Sequence, residues 1–245
     1  ENFLDEEQAD LLARIAMADR EMSQKAGIMK DAKGGESKLK LDWQLKDDVY
    51  SAHARSARVV ECVEQLIGGE VRHFHHKMML KEPRVGGAWE WHQDYGYWYH
   101  DGFLWPDMIS CMIAVDRASR ANGCLQVLRG SHRLGRIEHG NYGEQTGADP
   151  DRVAEIAKRL ELLYCEMEPG TALFFHCNTL HRSDANESDD PRWALICCYT
   201  AGWNVSFKAK EMQWTAGQKV DQLTDEQVYQ AARQQWERLE GAAPA

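Results

Sequence analysis

Five short runs between residues 71 and 200 constrain most strongly what this chain can fold into. Val71–Leu80 (VRHFHHKMML), Met108–Val115 (MISCMIAV), Cys124–Leu128 (CLQVL), Thr171–Phe175 (TALFF) and Trp193–Thr200 (WALICCYT) are rich in β-branched, aromatic and other apolar residues. Gly, Pro, Asn and Asp clusters separate them. Runs of that length with those boundaries read as strands, and several in succession need a barrel or sandwich to cover their apolar faces. The expected fold class is mainly β with flanking helices.

The helices announce themselves by caps. Asp5-Glu6-Glu7-Gln8 has the form of a capping box, and Leu11, Leu12, Ile15 and Ala16 follow at helical spacing, which predicts a helix over about 5 to 22. Asp47 or Asp48 caps a second helix, whose Val49, Ala52, Val60, Val63 and Leu66 form an apolar stripe stopped by Gly68-Gly69. Residues 24 to 46 show no period and read as a loop. Asp149-Pro150 starts a further helix, and another runs near Asp225 to Leu239. No repeat or low-complexity segment interrupts this order. A length of 245 residues suits one large domain. Its expected parts are a helical N-terminal region over about 1–69, a barrel core over about 70–208 and a C-terminal helix over about 223–239.

Charge and cysteine usage narrow the function. A net charge of −10 with a pI near 5.5 argues against a nucleic-acid-binding face, which needs clustered Lys and Arg. No run approaches the roughly 18 apolar residues that span a bilayer, and the first residues lack the charged and apolar regions of a signal peptide. A cytoplasmic enzyme acting on a small molecule, as a monomer or small homo-oligomer, is the expectation. The seven cysteines are odd in number, scattered and free of C-x-x-C, which fits neither a disulfide framework nor a structural zinc site. Any metal must therefore be held by His, Asp or Glu.

Trp91-His92-Gln93-Asp94 offers such ligands. Side chains two apart on an extended strand point the same way, whereas on a helix they diverge, so His92 and Asp94 make a pair at a strand or strand end. Downstream, TALFFHCNTLHRSDANESDDPRW supplies His176 and His181, with Arg192 eleven residues after the second. Two histidines and a carboxylate form the facial triad that leaves positions on iron(II) open for a bidentate 2-oxo acid and O2. An arginine fork suits the far carboxylate of that acid. His92, Asp94, one of the two late histidines and Arg192 satisfy this pattern.

With those residues in place, the stretch from about 71 to 204 resembles the phytanoyl-CoA dioxygenase family of iron(II)- and 2-oxoglutarate-dependent oxygenases, which includes ectoine hydroxylases. The resemblance rests on Trp91-His92-Gln93-Asp94, on Asn122-Gly123-Cys124-Leu125 running into Gly130-Ser131-His132, and on Phe174-Phe175-His176 with His181, Ser183, Asn186 and Arg192. It implies a double-stranded β-helix, a jelly-roll barrel of the cupin type. It also implies His181 as the third metal ligand, and Arg192 with Ser183 as the grip on 2-oxoglutarate. Met78 matches a position that lines the co-substrate pocket in relatives. Arg129 stands where the family usually has Pro, and Ile113 where an aromatic can occur. The carboxylate of Asp94 favours hydroxylation over halogenation, which in relatives needs a small residue there.

The substrate is less well marked. Tyr95, Tyr97, Trp98, Tyr99, Phe103 and Trp105 crowd eleven residues directly after Asp94, and read as an aromatic lid at the barrel mouth. Tyr97 and Trp98 are the expected substrate contacts, with Asn178 on the turn before His181 as a polar one. Aromatic faces attract ammonium groups. The expected reaction is hydroxylation of an unactivated C–H of a small polar metabolite, using Fe(II), 2-oxoglutarate and O2. The alternatives are an acyl-CoA 2-hydroxylase and a cupin-like metalloenzyme that does not use 2-oxoglutarate.

Overall fold

The computed structural model describes residues 3–31, 33–142 and 144–241. Its N-terminal helix α1 (Glu6–Ala18) begins with the expected capping box, in which the Asp5 carboxylate accepts the Gln8 N–H and the Gln8 side chain accepts the Asp5 N–H. Asp19 then caps a separate short helix α2 (Arg20–Gln24). The segment expected to be a loop instead holds a hairpin of β1 (Gly27–Lys30) and β2 (Glu36–Asp42). β1 is a largely exposed edge strand, so no apolar period marked it. The second expected helix is likewise two: α3 (Val49–Ala54), capped by Asp48, and α4 (Ala57–Ile67), ended by Gly68 at φ 87°.

Strands follow in quick succession: β3 (Val71–Lys81), β4 (Trp89–His92), the one-turn helix α5 (Asp94–Trp98), β5 (Met108–Ala114) and β6 (Leu125–Leu128). A hairpin of β7 (His139–Tyr142) and β8 (Gln145–Ala148) leads into α6 (Pro150–Ala157), which has Asp149 as its cap and Pro150 in its first turn. β9 (Leu162–Cys165), β10 (Ala172–His176), β11 (His181–Ser183), β12 (Arg192–Ala201), β13 (Gln218–Lys219) and α7 (Asp225–Gly241) complete the chain.

The large sheet has the order β1-β2-β3-β12-β5-β10, with β13 also on β3, and the small sheet the order β4-β11-β6-β9. From β3 to β12 the chain passes repeatedly between the two sheets, and every ladder is antiparallel. That is the double-stranded β-helix the resemblance implied. Among the described residues no helix is long and apolar enough to cross a membrane.

Register assigns the faces of the large sheet, since neighbouring side chains alternate. Met78, Leu80, Cys111, Ile113, Leu195 and Cys197 point outward and pack on Leu12, Ile15, Val49, Val60 and Val63 of the helices. Met79, Met112, Ala114, Ala194, Ile196 and Cys198 point inward, where Leu125 and Phe175 meet them. Burying one such side chain is worth about 1.5–3 kcal/mol, so the outer cluster fastens the helices to the barrel. Met78 is thereby corrected: it lies opposite Leu195 under the helices, not on the face that lines the barrel interior.

One irregularity matters for the site. Cys198 opposes His75 and Tyr199 opposes His73, which leaves Phe74 as an extra residue in β3. The bulge sends Phe74 and His75 to the same side, with ring centroids 4.8 Å apart. His73 and His76 turn away and hydrogen-bond each other at 3.0 Å. All three histidines are buried, although solvent exposure of one is the natural reading of a strand.

Candidate active site

β4 delivers His92 at its last residue, and the chain then turns into α5, whose first residue is Asp94. The pair is thus built by a strand end and a helix start, not by two positions of one strand. His181, the first residue of β11, is the register partner of His92. Asp94 Oδ1 lies 3.9 Å from His92 Nε2 and 3.8 Å from His181 Nε2, and the imidazole centroids are 4.0 Å apart. All three side chains are buried. Among the described residues this is the one cluster of three or more metal-ligand side chains.

The imidazoles are held alike. His92 Nδ1 donates to the Glu90 carbonyl at 2.7 Å, and His181 Nδ1 to the Thr179 carbonyl at 2.8 Å. A carbonyl can only accept, so the proton sits on Nδ1 and each Nε2 lone pair faces the centre. Burial lowers the pKa of both histidines, and in His92 the neighbouring His181 adds to the effect. For Asp94, burial acts upward, but Lys77, His181 and the Ser110 hydroxyl outweigh it and hold the carboxyl below its usual value. Ser110 donates to Asp94 Oδ2 at 2.8 Å, which leaves Oδ1 for a metal. Neutral imidazoles and an ionised carboxylate are the protonation states a divalent cation requires.

Gln93, between the two ligands, is fully buried and ties the motif down. Its Oε1 accepts from Ile137 N–H at 2.8 Å, its Nε2 donates to the Asn178 carbonyl at 2.9 Å, and its own N–H donates to His139 Nε2 at 3.0 Å. His139 in turn lies against Gly96, where an added Cβ would sit 2.3 Å from the ring. The sequence motif held a clue to this role, because the middle residue of H-x-D points away from its neighbours.

On the inner face of the large sheet, Arg192 of β12 stands directly opposite Lys81 of β3. Both are buried. Lys81 Nζ donates to Ser183 Oγ at 2.8 Å and to the Asp184 carbonyl. Burial, then the Arg192 charge, pushes the Lys81 pKa well below its usual value, and burial lowers Arg192 to about 10. Arg192 Nε has no hydrogen-bond partner, and among the described residues no carboxylate lies within 4.0 Å of either cation. Such a pair is costly unless an anion joins it. Nothing in the sequence marks Lys81, because a lysine closing a β-rich run looks like a solvated strand end.

A sequence model of the family described as Phytanoyl-CoA dioxygenase (PhyH) matches residues 1–194. The chain belongs to the phytanoyl-CoA dioxygenase family. Among its relatives, L-proline trans-4-hydroxylase of Streptomyces griseoviridis is 31% identical over 65% of this chain and 65% of its own length. Ectoine dioxygenase of Sphingopyxis alaskensis is 26% identical over 81% of this chain and 67% of its own length. The chain therefore spans about two thirds of these relatives. The fold matches that of EctD from S. alaskensis, solved with 2-oxoglutarate and 5-hydroxyectoine, with a TM-score of 0.74 at 22% identity over 91% of this chain and 82% of that one.

Iron(II) and 2-oxoglutarate, which the phytanoyl-CoA dioxygenase family implies, fit the residues present: three convergent donors for the metal, and for a carboxylate a buried arginine and lysine with no carboxylate within 4.0 Å among the described residues. The remaining residues singled out in the sequence fall as follows. Ser183 is buried beside Lys81. His176 stays outside the triad, and its Nδ1 accepts from Asn178 N–H at 3.0 Å. Asn178 itself is buried, with an Oδ1 that has no partner. Tyr97 packs its ring 5.6 Å from that of His92 and donates to the Thr146 carbonyl at 2.6 Å. Trp98 is 4% exposed and packs on Phe74 and His75. The aromatic stretch thus begins in helix α5, which buries Tyr95 and Trp98, and of its aromatics only Tyr99 and Trp105 are exposed.

Proposed function

We propose that this protein hydroxylates an unactivated C–H of a small polar metabolite, with His92, Asp94 and His181 as iron(II) ligands. The observation that carries the reading is the pairing of two buried arrangements, the His-Asp-His cluster and the Arg192–Lys81–Ser183 cradle. In this reading Arg192, Lys81 and Ser183 bind the distal carboxylate of 2-oxoglutarate, which gives the co-substrate one orientation. Ser110 orients Asp94, the Glu90 and Thr179 carbonyls orient the imidazoles, and Gln93 holds the loop between them. Tyr97 and the surrounding buried rings keep water from the reacting centre. Iron(II) with 2-oxoglutarate and O2 supplies the oxidising power to break a C–H bond. The balance is one O2 and one 2-oxoglutarate consumed, one oxygen atom in the new C–OH, the other in succinate, and CO2 released.

Relatives named for L-proline and ectoine support a small polar metabolite. The test is iron-dependent conversion of 2-oxoglutarate to succinate, with and without a panel of amino acids, ectoine and acyl-CoA esters. Succinate that forms with iron and rises with a small polar compound is the expected result. Stimulation by acyl-CoA esters alone contradicts the substrate class, and iron-independent behaviour contradicts the reaction.

A further inference from the structure

β3 carries one more cation to the inner face of the large sheet. Lys77 opposes Ile196, which opposes Met112, and both partners belong to the inner cluster. Of the influences that favour ionised Asp94, the Lys77 charge is the largest, and it also reaches His92, His181, His75 and Cys198. Lys77 is half-buried, and among the described residues no carboxylate lies within 4.0 Å of its ammonium. Asp94 already serves the metal cluster, and the carboxylate of a 2-oxo diacid has Arg192 and Lys81. Two residues along the same face, His75 opposes Cys198 and Cys198 opposes Ser110, whose hydroxyl holds Asp94, so the register sets Lys77 beside the reacting centre as a cation left over.

His75 is its neighbour on the same face. It follows Met79 and Lys77 on the inward-facing side of β3, opposite Cys198, and the rings of Phe74, Trp43 and Trp98 surround it at 4.8, 5.1 and 5.8 Å. It is 4% exposed, and among the described residues its Nδ1 has no hydrogen-bond partner. Burial pushes its pKa well below the usual histidine value, so the ring is a neutral donor and acceptor. A sealed polar atom without a partner carries a standing cost that a ligand's hydrogen bond removes.

We propose that Lys77 and His75 anchor the primary substrate, Lys77 by pairing with a carboxylate and His75 by one hydrogen bond to a polar group of the same molecule. The substrate class is then a small carboxylate-bearing metabolite of the amino-acid type. The inference rests on the reading of the site as an iron(II) and 2-oxoglutarate hydroxylase. An ammonium next to the aromatic rings is compatible with it, but the carboxylate decides recognition. With the carboxylate held at Lys77, a C–H several bonds away is directed toward the triad. Trp43 and Trp98, packed edge-on against His75, limit the space around it.

The experiment uses iron-loaded protein with 2-oxoglutarate and three matched sets of probes: L-proline and other free amino acids, their carboxamides, and the corresponding amines without a carboxyl group. Succinate formation reports stimulation. The visible absorbance of the anaerobic iron and 2-oxoglutarate complex reports co-substrate binding, and its change on adding a probe reports substrate binding without turnover. The free carboxylates are expected to stimulate, and the amides and amines to fail. Lys77→Met raises the KM of the stimulating carboxylate about tenfold or more. Lys77→Arg restores most of that loss, and His75→Phe raises KM while His75→Gln retains binding. In all four variants the anaerobic 2-oxoglutarate band forms at wild-type co-substrate concentrations. Equal stimulation by amides or amines, or no stimulation by any carboxylate, overturns the proposal. So does a Lys77→Met variant that loses 2-oxoglutarate affinity instead, which assigns Lys77 to the co-substrate. Failure of the wild type to form the band at all overturns the underlying hydroxylase reading, and is distinguishable from these outcomes.

Discussion

Lys81 and Arg192 are direct cross-strand neighbours on the inner face of the large sheet, two buried cations side by side. Like charges in that position repel, so their juxtaposition calls for a bound anion. Arg192→Ala is expected to raise the 2-oxoglutarate Kd about thirtyfold or more, since losing one partner of a desolvated charge pair costs about 2–5 kcal/mol. Iron affinity changes much less. Lys81→Met weakens 2-oxoglutarate as well, yet leaves the ligand-free protein at least as heat-stable as the wild type, because it removes a buried charge. Titration of each variant with 2-oxoglutarate, alongside thermal melts, checks both statements.

Ser110 and Asp94 give a test of the metal cluster that spares its ligands. The 2.8 Å bond from Ser110 Oγ fixes which oxygen of Asp94 faces the histidines. Ser110→Ala is expected to lower divalent-metal affinity by about 10- to 100-fold, the usual effect of losing such a supporting contact. Calorimetric titration with iron(II) or manganese(II) under anaerobic conditions measures it.

Acid should destabilise the fold through histidines outside the site. Burial lowers the pKa of His53 and His76 to about 4 and of His73 to about 3, from an unfolded value near 6.5. A histidine with a depressed folded pKa binds its proton mainly in the unfolded chain. Its stabilising effect is complete above pH 6.5 and is lost as pH falls toward 4. Each unit costs about 1.4 kcal/mol per histidine, so a loss of a few kcal/mol is expected between pH 6.5 and 5. Urea denaturation across that range checks the slope, and His53→Asn should reduce it by about one proton.

Gly96 marks the closest approach around the H-x-D motif. A Cβ there would stand 2.3 Å from the His139 ring, which accepts the Gln93 N–H. Gly96→Ala is expected to displace His139, lower the unfolding midpoint and weaken metal binding together. Gly140→Ala, where the nearest atoms are 3.9 Å from the added carbon, serves as the control and should do neither.

What was legible in the sequence was local chemistry. Asp5, Asp48 and Asp149 cap helices as their spacing implied, and Gly68 ends one in the left-handed conformation. His92, Asp94 and His181 converge. What was not legible depends on register. A single extra residue, Phe74, decides that His73 turns to the side of His76, when plain alternation would have placed it with His75. Which face Met78 takes follows from its pairing with Leu195, and the role of Lys81 from its pairing with Arg192. In the hairpin, the exposed edge strand β1 carries no apolar alternation, whereas β2 alternates only over a few residues, with Leu39 and Leu41 between Lys38, Lys40 and Asp42. The aromatic run after Asp94 reads as a lid in the sequence, where nothing shows that its first residues form α5 and bury Tyr95 and Trp98.

The central claim is that His92, Asp94 and His181 hold an iron(II) that chelates 2-oxoglutarate. Its most direct measurement is the visible absorbance that appears when iron(II) and 2-oxoglutarate are added together without oxygen. The wild type and His176→Ala are expected to give the weak visible band of a chelated 2-oxo acid, and His181→Ala and Asp94→Ala to lose it. A band that survives in His181→Ala and vanishes in His176→Ala, or no band in the wild type, would contradict the account.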